Sequence, residues 1–172
     1  IGLFRTEFLF MNRTTLPTED DQYQAMAGVV SALGGQEVTF RTLDIGGDKM
    51  AAALDRHLGD AANPALGLRA IRLSLKYPDL LKTQLRAIIR AGAHGPVRIL
   101  LPMVTTADEV VRTRAILNEC WDELQREGAT LPATLPPLGT MIEIPAAALS
   151  ADSLAVVSDF FALGTNDLVQ YT

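Results

Sequence analysis

GPVRILLPMVTTADEVVRTRAILNECWDELQRE, residues 95–127, contains one strand-and-helix unit legible from residue order alone. Gly95-Pro96 breaks whatever precedes it. Val97–Leu101 is a short apolar run, suited to a buried strand, and it stops at Pro102-Met103. Thr106 followed three residues later by Glu109 is a capping-box pattern and opens a helix to about Glu127.

The same unit recurs outward in both directions. On the N-terminal side, Ile1–Phe4 is apolar and ends on Arg5, and Thr15, Pro17, Thr18, Glu19 and Asp20 signal a helix start. That helix runs to Leu33 and stops at Gly34-Gly35. Val38–Leu43 is β-rich and ends on Asp44 and a Gly46-Gly47 turn. A looser stretch reaches Asn63-Pro64, and helices are expected over Ala65–Leu75 and Pro78–Ala93. On the C-terminal side, Pro132, Pro136 and Pro137 mark a loop. Leu138–Ile142 reads as a strand ending on Glu143, Ala146–Val156 as a short helix, and Phe160–Leu163 as a strand running into Thr165-Asn166-Asp167.

Five apolar strands separated by helices imply a parallel α/β sheet covered on both faces. A closed (β/α)8 TIM barrel has eight such units in about 250 residues. The chain has 172 residues, begins inside a strand and ends just after one. Residues 1–172 are therefore expected to be one partial barrel domain of roughly five βα units, lacking its first and its last two. An open doubly wound sheet is the alternative. No internal repeat or low-complexity segment is evident.

Hydrophobic residues make up 48% and charged residues 20%, which fits a globular chain rather than a disordered one. No apolar run reaches the roughly 18 residues of a membrane span, and no charged-then-apolar signal segment opens the chain. The net charge of −5 argues against a nucleic-acid partner. The single cysteine, Cys120, excludes an internal disulfide framework and suits a reducing, cytoplasmic setting.

Each strand runs into polar groups at its C-terminal end, where α/β folds bind ligands. Arg5 and Arg41 each precede a threonine. Two guanidiniums on neighbouring strand ends could converge on one dianion, or each could pair with a local acid, Glu7 or Asp44. Glu143 and Asp167 lie about one βα unit apart, so both could reach a Mg²⁺ and leave its other positions to water and substrate. Otherwise they are ordinary loop charges. The apolar neighbours of Glu143 favour the first alternative, because a buried carboxylate needs a partner. Asp44–Lys49 lacks P-loop spacing and reads as a turn with a solvated lysine. His57 and His94 have no metal-ligand spacing. Cys120 and Trp121 sit in a helical stretch as packing residues.

Six stretches together resemble a known family: GLFRTEFLF (2–10), RTLDIGGDK (41–49), NPALGLRAIR (63–72), ILLPMV (99–104), MIEIPAAA (141–148) and DFFALGTNDLVQYT (159–172). In order and spacing they are similar to enzyme I of the phosphoenolpyruvate-dependent sugar phosphotransferase system. Its dikinase and synthase relatives are the nearest alternatives, and a non-catalytic ligand-binding or dimerisation piece is a third.

The resemblance implies a TIM barrel that binds phosphoenolpyruvate and Mg²⁺ and dimerises. It assigns Arg5 and Arg41 to the phosphate with Arg69 nearby, Glu143 and Asp167 to the metal, and Asn166, together with Asp167, to the substrate beside it. The implied partners are phosphoenolpyruvate and pyruvate, a histidine-bearing N-terminal domain of the same enzyme, and a phosphocarrier protein. The phosphorylated histidine, the cysteine that protonates the enol and a further substrate arginine are expected outside residues 1–172, so none of the catalytic groups themselves is expected within them. The chain departs from the pattern at Leu68, where the family usually has tryptophan, and over Met50–Leu58.

Overall fold

The structure, a computed structural model, describes residues 2–11, 13–45 and 69–170. Its strands are β1 (Phe4–Arg5), β2 (Val38–Arg41), β3 (Val97–Leu101), β4 (Leu138–Ile142) and β5 (Phe161–Leu163). They form one sheet in chain order, and every neighbouring pair is parallel. That order separates the two architectures open to a five-stranded chain. A doubly wound sheet reverses direction at a switch point. Here each new strand is added on the same side, and right-handed crossovers then place all the helices on one face. The chain forms part of a (β/α)8 barrel.

The helices are α1 (Glu19–Ala32), α2 (Ile71–Lys76), α3 (Pro78–Ala91), α4 (Ala107–Arg126), α5 (Pro145–Leu149), α6 (Ala151–Ala155) and α7 (Thr165–Gln170). Alternate strand residues meet them. Val38, Phe40, Ile99, Leu101, Leu138 and Ile142 share one core with Met26 and Val30 of α1, Leu85 and Ile88 of α3 and Leu117 of α4. Each fully buried aliphatic side chain contributes about 1.5–3 kcal/mol. The intervening positions Arg5, Arg41, Leu100 and Gly139 lie side by side in register on the opposite face. A side chain at Gly139 would collide with the ring of Phe160, since a Cβ there lies 2.5 Å from it.

Local chemistry explains most boundaries. Thr18 and Asp21 cap the start of α1 reciprocally, and Gly34 and Gly35 leave the helix with φ of 57° and 90°, the left-handed region that glycine enters without steric cost. The Glu109 carboxylate accepts the Thr105 and Thr106 N–H groups, at 2.6 and 3.0 Å, and so starts α4. Arg86 of α3 ties this layer together, reaching Glu19 of α1 at 2.6 Å and Glu123 of α4 at 3.2 Å.

Three expectations need correction. β2 ends at Arg41 rather than Leu43, because the Leu43 N–H turns out of the sheet to the Gln84 side chain. The helix expected over 146–156 is two helices, separated at Ser150, whose φ/ψ of −113°/25° is not helical. Of the helix expected over 65–75, residues 71–76 form α2, which extends to Lys76, while 65–68 lie outside the described residues. His57, the Gly46-Gly47 turn and Lys49 also fall outside them. His94 closes a 3-10 turn, and its Nε2 lies 2.9 Å from the Tyr23 hydroxyl, a packing role.

Cys120 is fully buried on α4, and burial pushes its thiol up to about 12. The neutral thiol is a poor nucleophile. Native protein treated with iodoacetamide at pH 8 is expected to show no alkylation of the Cys120 peptide by mass spectrometry, with full labelling after denaturation.

Candidate functional site

The C-terminal ends of β1, β2 and β4 gather the charged groups. Arg5 and Arg41 are direct register partners across β1 and β2. The Thr6 hydroxyl donates to the Arg41 carbonyl at 2.8 Å and pins the two strand ends together. Just past β1, the chain turns into a single 3-10 turn, Thr6–Leu9, which folds Glu7 back against both arginines.

The result is a chain of alternating charges. Arg5 Nε lies 3.8 Å from Glu7 Oε1, and the same oxygen accepts from Arg41 Nη2. Arg41 Nη1 lies 3.3 Å from Asp44 Oδ2, and Asp44 Oδ1 accepts from Arg69 Nε at 3.0 Å. Exposure divides these groups. The Arg41 side chain is 7% exposed, whereas those of Arg5 and Arg69 are 59% and 42% exposed. Arg41 is a buried central cation with a more exposed cation on either side. Its Nε, together with Glu7 Oε2 and Thr42 Oγ1, is buried without a hydrogen-bond partner among the described residues. The pairing of the arginines with local acids is thus real, and it leaves Arg41 with an unused donor.

Glu143 follows β4 and is buried at 1% exposure. One of its oxygens accepts the Met103 N–H at 2.6 Å. Met103 has φ 56°, an uncommon conformation for a non-glycine residue, and this turn after β3 presents its N–H to the carboxylate. Gly164, just after β5, is required beside it: a Cβ there would lie 2.6 Å from Glu143 Cβ and 2.8 Å from Oε2. Burial raises the Glu143 carboxyl to about 7. The Met103 N–H opposes the shift, Asp44 and Asp167 add to it, and Arg41 opposes it weakly. Those couplings place Asp44, Asp167 and Arg41 within electrostatic reach of Glu143. Asp167 is half-buried and Asn166 exposed, both in the first turn of α7.

Glu143 and Asp167 supply oxygen donors of the kind a divalent cation takes. In count, the three arginines Arg5, Arg41 and Arg69 stand against the four carboxylates Glu7, Asp44, Glu143 and Asp167, so with Glu143 ionised these named groups sum to a net negative charge. A bound M²⁺ reverses that sign. No group of three or more His, Cys, Asp or Glu at metal-holding geometry occurs among the described residues. Two carboxylates, with water and substrate oxygens completing the shell, is the arrangement that suits Mg²⁺.

The family model for "PEP-utilising enzyme, PEP-binding domain" matches residues 1–172. The chain belongs to the PEP-utilising enzyme family. Within this family it is 49% identical over 172 residues to the phosphoenolpyruvate-protein phosphotransferase of Geobacillus stearothermophilus, and 50% identical over 173 residues to that of Cupriavidus necator. Each alignment covers all of this chain and 29% of the relative, so the PEP-binding domain spans less than a third of the relatives' length. A crystal structure of a citrate lyase from Burkholderia xenovorans superposes with a TM-score of 0.51 at 17% identity, over 99% of this chain and 50% of that one, a likeness of fold alone.

Two residues at the site went unrecognised in the sequence. Met103 acts through its backbone, and side-chain type carries no trace of that. Gln84, whose Oε1 accepts the Leu43 N–H at 2.8 Å, did leave a signal. It stands between Leu81 and Ile88 on the apolar stripe of α3, where a polar residue is out of place.

The raised Glu143 carboxyl has a consequence for stability without metal. A folded-state value near 7, against an ordinary 4.5, means its favourable contribution is full below about pH 4.5 and lost as pH rises through 7. In metal-free protein, Glu143→Gln is expected to be stabilising at pH 8, by up to about 3 kcal/mol, and to give no such gain at pH 4.5. Urea melts at the two pH values measure this, and equal effects would contradict it.

Proposed function

We propose that the chain is the phosphoenolpyruvate- and Mg²⁺-binding barrel of an enzyme that moves the phosphoryl group of phosphoenolpyruvate to one of its own histidines and then to a phosphocarrier protein, releasing pyruvate. The observation that carries this is the buried Arg41 at the strand ends, flanked by the more exposed Arg5 and Arg69 and within electrostatic reach of the Glu143 carboxylate. The names of the relatives support the reaction class.

Phosphoryl transfer depends mainly on positioning and on stabilising charge. Arg41, fixed by Glu7 and Asp44, would bind one phosphoryl oxygen from a preset position, and Arg5 and Arg69 would close over the others. The bond from phosphorus to the enol oxygen breaks as the histidine nitrogen attacks, and the enolate left behind takes a proton to become pyruvate. Glu143 and Asp167 would hold Mg²⁺, which when bound neutralises charge on the phosphate and carboxylate oxygens of the substrate. Asn166 would orient the substrate beside it.

The rest of the assembly belongs to the same proposal. The histidine, the proton-donating cysteine and a further arginine lie in the remainder of a longer protein. The barrel is completed there by further βα units. The edge strand β5 supports this, since it leaves Phe161 and Leu163 exposed. The full protein works as a homodimer in the cytoplasm. Among the described residues no helix is long and apolar enough to cross a membrane.

Two substitutions in the full-length protein test the site. Wild type is expected to bind phosphoenolpyruvate more tightly with Mg²⁺ than with EDTA in calorimetry, and Glu143→Gln to erase that difference. A preserved metal dependence in the variant removes Glu143 from the metal site. Arg41→Lys keeps the charge but loses the planar fork. Turnover is expected to fall on the order of tenfold to a thousandfold, and a fall of less than twofold would make Arg41 purely structural.

A further inference from the structure

Two buried glutamines join the outer helix layer to the site. The Leu43 N–H donates to Gln84 Oε1 at 2.8 Å. Gln84 Nε2 reaches Gln22 Oε1 on α1 at 3.4 Å, and Gln22 Nε2 donates to the Pro17 carbonyl at 3.3 Å. Gln22 is fully buried and Gln84 is 2% exposed. The partners set the sense of both amides, because a backbone N–H can only donate and a carbonyl only accept. Gln84 must turn its oxygen to Leu43, and Gln22 must turn its oxygen to Gln84.

The target of this relay matters more than its presence. Leu43 is the residue before Asp44, and two after Arg41. Its N–H is the backbone donor that leaves the ladder where β2 ends, after the Thr42 N–H has bonded the Leu100 carbonyl at 3.0 Å. Accepting that N–H fixes the Thr42–Leu43 peptide, one residue before Asp44. Asp44 then sets Arg41 Nη1 at 3.3 Å and Arg69 Nε at 3.0 Å. The relay also has a firm base, since Arg86 and Arg90 of α3 both bond Glu19 of α1 at 2.6 Å.

We infer that Gln84 is a positioning residue for substrate binding: through the Leu43 N–H it fixes the Asp44 carboxylate, and through Asp44 the spacing of Arg41 and Arg69. This role rests on the proposed function. Gln84 touches neither substrate nor metal. Its loss would leave a buried N–H without an acceptor, and the strand end would shift to find one.

The test uses the full-length protein, with phosphoenolpyruvate and Mg²⁺ in calorimetry and a thermal melt on each variant. Gln84→Met conserves volume and removes the acceptor. It is expected to weaken phosphoenolpyruvate binding on the order of tenfold. Gln22→Met breaks the same buried relay one link further from Asp44. It is expected to lower Tm by a similar amount while changing affinity less than about threefold, a split that a merely structural role for Gln84 would not produce. Should Gln84→Met not fold, Gln84→Asn, which keeps an amide but shortens its reach, is expected to weaken binding in the same direction. Affinity within twofold of wild type for the folded Gln84 variant, or equal losses at Gln84 and Gln22, overturns the inference. Wild-type protein that binds no phosphoenolpyruvate instead overturns the functional proposal beneath it.

Discussion

A guanidinium buried at a strand end has to be neutralised and held, and Arg41 is held by carboxylates on two sides. Glu7 comes from the turn after β1 and Asp44 from the segment after β2. Removing one partner of a buried pair costs roughly 3–5 kcal/mol, because the remaining charge is left uncompensated. The positions of Glu7, Asp44, Arg5 and Arg69 all follow from that requirement. The parallel register of β1 and β2 satisfies part of it, by bringing Arg5 level with Arg41.

The barrel supplies the geometry this cluster needs. Strands added in chain order keep their C-terminal ends at one edge, so Arg41, Met103, Glu143 and Gly164 arrive together from four consecutive βα segments. The helix layer contributes more than hydrophobic cover. Its apolar stripe on α3 carries Gln84, and its outer charges lock α3 to α1 and α4. Packing and site geometry are therefore coupled through a buried amide rather than kept in separate layers.

The site accepts a cost in stability. Glu143 sits where burial and the neighbouring carboxylates Asp44 and Asp167 disfavour its charge, with one backbone N–H in partial compensation. A carboxylate so placed has more to gain from a divalent cation than an exposed one does. Met103 and Ala70 hold positive φ values, 56° and 53°, next to site residues. Such conformations persist only where the surroundings impose them.

The sequence by itself determined the strand-helix alternation, the capped starts of α1 and α4, and the residue types at the strand ends. These are short-range signals: periodicity, capping pairs and glycine stops act within one turn or one strand. They also sufficed to place Arg5, Arg41, Glu143, Asn166 and Asp167 at or just past strand ends, whereas Arg69 was expected inside a helix that begins only at Ile71; the six motifs suggested the family that the whole-chain match then bore out. Only the tertiary structure decided that the sheet follows chain order, that Glu7 and Asp44 share the clamp on Arg41, that the Met103 N–H meets Glu143, and that the Gln84 side chain accepts the Leu43 N–H. The physical reason is sequence separation. Gln84 and Leu43 lie 41 residues apart, and Met103 and Glu143 lie 40 apart, so no local pattern records their contact.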